Sequence, residues 1–106
     1  MQRRFRLIAG LSFAFLASHV GAASPQDALT AAGCMACHAK DKKMVGPSFK
    51  DIAAKYKGQG DAVAKLAEKV RKGGSGVFGP VPMAPNGPDK ISDADLKAAI
   101  DFILKS

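Results

Sequence analysis

Cysteine and histidine are scarce in this chain, and three of the four stand together in Cys34-Met35-Ala36-Cys37-His38. Two thiols three residues apart, with an imidazole directly after the second, form the attachment signature of a c-type haem. Side chains at i, i+3 and i+4 share one face of a helical turn. Both sulfurs can therefore reach the two vinyl groups of one porphyrin while the imidazole meets the iron. Read this way, Cys34 and Cys37 become thioethers to a single haem c, and His38 is the proximal axial ligand. Two other chemistries use cysteines at this spacing. A thioredoxin-like dithiol wants a β-α-β pattern nearby, and none is visible. A structural zinc site wants four ligands, and outside the pentapeptide the only other Cys or His is His19.

The elements that must position this motif begin after a leader. Arg3, Arg4 and Arg6 precede the apolar run Leu7 to Leu16, and the small residues Gly21, Ala22 and Ala23 follow. That order of basic, apolar and small residues predicts a secretory signal peptide over 1–22, cleaved after Ala22 or, almost as well, after Ala23. The run is shorter than the ~20 apolar residues of a membrane span, although an uncleaved anchor is the alternative. His19 lies in the leader and is no ligand candidate. Cleavage removes three arginines and no acid, so the formal charge falls from +7 to +4. The basic balance belongs partly to the leader. No nucleic-acid motif appears, and export removes that partner. The remaining domain, 23–106, is small enough to want a staple, and a covalently held haem is a large apolar one.

Capping signals divide the domain into helices. Ser24-Pro25-Gln26-Asp27 predicts a helix start that delivers the two cysteines, with Gly33 loosening the chain just before them. Lys40, Asp41, Lys42 and Lys43 predict a solvated turn. Ser48, with Asp51 three residues on, caps a second helix through about Tyr56. Asp61 to Lys72 carries Val63, Leu66, Ala67 and Val70 at helical spacing, with Asp61–Lys65 and Glu68–Lys72 as acid-before-base pairs on its wet side. Ser92-Asp93-Ala94-Asp95 starts a last helix to Leu104, with Leu96, Ala99, Ile100 and Ile103 as its buried stripe. Between the last two helices, 73–88 is rich in glycine and proline and has no periodicity, which by composition alone suggests disorder. It also holds Met83 between Pro82 and Pro85, and a rigid extended segment is a good support for a thioether. No β-strand is convincing.

With these motifs in order, Cys34-x-x-Cys37-His38, Val45-Gly46-Pro47 and Gly79-Pro80-Val81-Pro82-Met83-x-Pro85-Asn86, the chain resembles the short class I monohaem cytochromes c of the bacterial periplasm. The resemblance covers nearly all of 23–106. It implies an all-α fold of four helices wrapped around one haem. It matches His38 to the proximal ligand, Met83 to the distal ligand, and Pro47 to the proline whose carbonyl accepts the histidine Nδ1–H. It matches Asn86 to a residue placed to hydrogen-bond near the methionine sulfur. Met35 and Met44 are rival sulfurs: the first lies inside the attachment turn, and the second reads as packing. The family commonly has tryptophan where this chain has Phe78. A phenyl ring cannot donate to a haem propionate, which leaves Lys69 or Arg71 as the available cations.

The function this implies is a periplasmic electron carrier, not an enzyme, that shuttles one electron by Fe(II)/Fe(III) cycling. The expected partners are acidic redox proteins: a nitrite reductase, a cytochrome oxidase, a bc1-type complex or a peroxidase. The carrier is expected to be a monomer with no membrane span after cleavage. Lys40, Lys42, Lys43, Lys50, Lys55, Lys57, Lys65, Lys69 and Lys72 could steer it towards such partners. The competing readings are a peroxidase-like haem enzyme and a gas-binding module, each with a displaceable Met83. The first would need a distal acid–base group, and the domain has a single histidine.

Overall fold

The computed structural model describes residues 10–12, 14 and 24–106. The cleavage site, His19 and most of the expected leader lie outside the described residues. Four α-helices follow in order: α1 (Pro25–Ala31), α2 (Phe49–Tyr56), α3 (Ala62–Lys72) and α4 (Asp93–Leu104), with a 3₁₀ turn, Cys34–Ala36, after α1.

Three of the four helices start on a serine cap. The hydroxyls of Ser24, Ser48 and Ser92 accept from the backbone N–H groups of Asp27, Asp51 and Asp95 at 3.1–3.2 Å, satisfying donors that have no partner within the helix. α3 differs. It begins at Ala62, one residue later than its charge pattern suggests, and Asp61 makes no side-chain cap. Its carboxylate instead pairs with Lys65 at 3.2 Å. At the end of α1, Gly33 takes a left-handed φ of +83°, which turns the chain out of the helix and into the cysteine motif.

α4 packs against each of α1, α2 and α3. Its stripe of Leu96, Ala99, Ile100 and Ile103 is buried and forms one cluster with Ala28, Leu29, Phe49, Ile52 and Ile91. The stripe of α3 is only half-buried. Val63, Leu66, Ala67 and Val70 touch this cluster from outside, and Leu66 and Val70 face a cavity instead. Among the described residues the one piece of β-structure is an isolated antiparallel bridge between Gly74 and Met83. No described helix is long and apolar enough to cross a membrane.

Candidate haem site

The 3₁₀ turn is closed by two bonds to one acceptor: the N–H groups of Cys37 and His38 donate to the Cys34 carbonyl at 3.2 and 3.0 Å. Cys34 is half-buried against the core and Cys37 is exposed. Burial pushes the Cys34 thiol above its ordinary pKa, its own backbone hydrogen bond pulls it down, and the neighbouring Cys37 adds to the rise.

The His38 ring is held from three sides. Nδ1 lies 2.8 Å from the Pro47 carbonyl. A carbonyl can only accept, so Nδ1 carries the proton and Nε2 presents its lone pair. Phe49 stacks on the ring, centroids 5.8 Å apart and planes 21° from parallel. Gly46 lies against the third side, so close that a Cβ there would stand 2.5 Å from Cε1 and 2.9 Å from Nδ1. The loop that supplies these contacts is pinned to the motif. Gly46 N–H donates to the Cys37 carbonyl at 2.8 Å and Phe49 N–H to that of Ala39 at 2.9 Å.

Met83 is held through its backbone. It exchanges two hydrogen bonds with Gly74, each 2.9 Å, and three residues on Asn86 N–H donates to the Val70 carbonyl at 2.9 Å. The segment thus runs back along the end of α3. Gly73 makes this approach possible, because it has a left-handed φ of +68° and a Cβ there would overlap the Met83 carbonyl and stand 2.8 Å from Pro85 N. Asn86 is buried, and its Nδ2 donates to the Ala84 carbonyl at 3.0 Å.

These pieces enclose one cavity of about 520 Å³, within the ordinary range of cofactor sites. Cys34, Cys37, His38, Pro47 and Met83 all line it, together with apolar residues of every helix: Leu29, Ile52, Leu66, Val70, Leu96 and Ile100. Asn86 does not line it. Neither do the rival sulfurs: Met35 packs partly buried against the core, while Met44 is 43% exposed. The reading of Met44 as packing is therefore corrected, since its loop faces solvent. Arg71 is also corrected. Its guanidinium is bonded to the Asn86 and Ile91 carbonyls and to Asp93, so it is not available to a propionate, whereas Lys69 lines the cavity. At the mouth, Val45, Val77, Phe78 and Val81 are exposed, and Lys55 Nζ sits 5.3 Å from the centroid of the Phe78 ring.

Gly46, Phe49 and Gly73 escape a reading of the sequence as functional residues. The only available signals were a glycine before Pro47 and a Gly73-Gly74 pair that serves equally well as a helix stop.

Two free thiols, an imidazole with one nitrogen committed and a thioether in an apolar cavity are a donor set that fits a haem. Comparison with known proteins decides the family: the cytochrome c family model matches residues 25–106. The chain belongs to the cytochrome c family. It is 55% identical over 84 residues to cytochrome c2 of Rubrivivax gelatinosus, covering 79% of this chain and 99% of that one. It is 44% identical over 89 residues to cytochrome c-551 of Pseudomonas aeruginosa, covering 84% and 83%. The crystal structure of wild-type cytochrome c552 from Nitrosomonas europaea superposes with a TM-score of 0.70 at 49% identity, over 76% of this chain and 96% of that one. This cytochrome c is thus of the small bacterial class I type, all-helical, with covalently attached haem c, and it carries electrons to and from redox partners.

Proposed function

We propose that the protein is an exported, periplasmic one-electron carrier whose haem is bound through Cys34 and Cys37 and ligated by His38 and Met83. The observation that carries this reading is that one apolar cavity is lined by both thiols, by His38 with Nδ1 already tied to Pro47, and by Met83. When bound, the haem iron supplies reversible Fe(II)/Fe(III) chemistry, and a methionine ligand favours the reduced state. The protein's own share is orientation and exclusion. Pro47 and Phe49 fix the imidazole plane, so His38 presents Nε2 in one direction. The bridge to Gly74 sets the position of Met83, and Asn86, with its amide on the Ala84 carbonyl, fixes the turn that follows. With His38 and Met83 both holding the iron, a substrate would find no site on it. The cavity lining includes no arginine and no second histidine to act as a distal acid–base group, which supports a carrier over a peroxidase-like enzyme.

In the same reading, 1–22 is a cleaved leader and the domain 23–106 works as a monomer with acidic redox partners such as a reductase or oxidase. The lysines divide. Lys50, Lys65 and Lys72 pair with Asp41, Asp61 and Glu68, whereas Lys43 and Lys69 line the cavity and Lys55 covers Phe78 at its mouth. The second set is the one placed to steer an acidic partner to the haem edge.

Substitution of the distal ligand tests the assignment. Met83→Ala should open an axial position, admit carbon monoxide to the reduced protein and lower the potential, and Met44→Ala should do none of these. The reverse pattern would reassign the ligand.

A further inference from the structure

Arg71 has no place in the cavity, yet it is the most heavily used polar side chain among the described residues. Its side chain is only 21% exposed. Nη1 donates to the Asn86 carbonyl at 3.2 Å and to the Ile91 carbonyl at 2.8 Å, and Nη2 donates to Asp93 Oδ1 at 2.6 Å. One guanidinium on α3 thus holds the segment that follows Met83 at both its ends, and holds the first residue of α4 as well. The planar fork of arginine suits this task, since its donors reach separate acceptors while staying rigid. The next residue on α3 towards its start, Val70, accepts the Asn86 N–H at 2.9 Å, so Asn86 is gripped through both of its backbone polar groups. With the Gly74 bridge at Met83 itself, the chain is fastened near the end of α3 both at the thioether-bearing residue and three residues after it.

We propose that Arg71 is a positioning residue for Met83, a latch that keeps the thioether at the iron and resists its replacement by an external ligand. This rests on the reading that Met83 is the distal ligand. The backbone around Met83 is the part that must move aside when another ligand enters, and within it the contacts of Arg71 are charge-assisted, the stronger class of hydrogen bond. Loss of such a bond typically changes an equilibrium constant about tenfold to a hundredfold.

The test is a double-mutant cycle on the ferric holoprotein, titrated with imidazole and followed by its absorption spectrum. Arg71→Gln should bind imidazole about tenfold more tightly than the wild type, with Arg71→Lys between them. On a Met83→Ala background, where the ligand to be displaced is gone, Arg71→Gln should add nothing. Hydrogen exchange should quicken at the Met83 and Asn86 amides while that of Ile100 keeps its rate. Leu104→Ala, in α4 and away from the cavity, should lower the unfolding temperature without changing imidazole affinity. An unchanged affinity in Arg71→Gln overturns the latch, and so does an equal gain on the Met83→Ala background or in Leu104→Ala. If Met83→Ala itself binds imidazole no better than the wild type, the ligand assignment fails instead, and the two failures are told apart. Should Arg71→Gln not fold, Asp93→Asn removes one limb of the latch and should give a smaller change in the same direction, with no change counting against it.

Discussion

His38 and Met83 approach the same cavity under different kinds of restraint. The imidazole is gripped on its side chain: a carbonyl on Nδ1, a stacked Phe49 and the bare face of Gly46, all within eleven positions of His38 in the chain. Met83 is gripped on its backbone, by Gly74 and through Asn86 by Val70 and Arg71, and its thioether keeps the rotamers of a flexible unbranched chain. One side chain is therefore fixed atom by atom, and the other is carried by a fastened strap. A carrier gains from a rigid proximal side, because little needs to rearrange when the electron arrives. Under the proposed ligation, the strap would make the Met83 side the place where ligand exchange begins.

Removing the anchor should have the largest effect. With Cys34→Ala and Cys37→Ala together, denaturing electrophoresis followed by haem staining should show no colour in the small band, where the wild type retains it. Retained colour would mean that thioether attachment is not what holds the cofactor.

Next come the two glycines, one for each kind of restraint. Gly73→Ala forces an unfavourable φ and drives Cβ into backbone of the Met83 segment, so about 1–3 kcal/mol of stability should be lost. Gly46→Ala drives Cβ into the imidazole, with about 1–3 kcal/mol lost to overpacking. Thermal unfolding measures both losses, and NMR of the oxidised protein shows which ligand moved. The contrast requires Gly73→Ala to shift the methionine signals and Gly46→Ala the histidine signals. The same shift in both variants would erase it.

A smaller effect is expected at the mouth of the cavity. Electron transfer to an acidic partner should slow with rising ionic strength, because exposed charges are screened over about 8–10 Å at 0.1–0.15 M salt. Replacing Lys43, Lys55 and Lys69 by glutamine should flatten that dependence more than replacing Lys50, Lys65 and Lys72. Equal slopes would show that position relative to the cavity does not matter.

Phe78→Trp should give the smallest change. The indole restores a donor for a propionate at a site where Lys43 and Lys69 are the cations lining the cavity. A propionate that titrates near oxidised iron makes the potential fall as pH rises through its range, since the ferric state favours the ionised form. Voltammetry from mildly acidic to mildly alkaline pH should show an altered slope in Phe78→Trp. Superimposed curves would place Phe78 away from the propionate.

Much of the scaffold was legible in the chain because its signals are local. A serine three residues before an aspartate caps α1, α2 and α4 where expected, since the hydroxyl and the N–H it serves are fixed by one turn of backbone. The stripe of α4 is buried as its periodicity predicts. α3 starts one residue later than expected because Asp61 occupies the flanking N-cap position, with its carboxylate paired to Lys65. The stretch 73–88, which composition alone would leave disordered, is ordered by contacts to α3 that no local pattern encodes.

The sequence by itself determined the attachment chemistry, because cysteine and histidine reactivity depends on spacing within a single turn. It also determined the helices, their caps and the family resemblance. Only the tertiary structure decided how the loops that present His38 and Met83 are held. Gly46 matters because an imidazole eight residues back lies against it, and Gly73 because the Met83 backbone returns across it. Arg71, a candidate propionate cation in the sequence, is committed elsewhere because Asn86, Ile91 and Asp93, 15 to 22 residues away, fold back to its guanidinium. Hydrogen-bond geometry is a property of positions in space, and at such separations the chain order does not specify them.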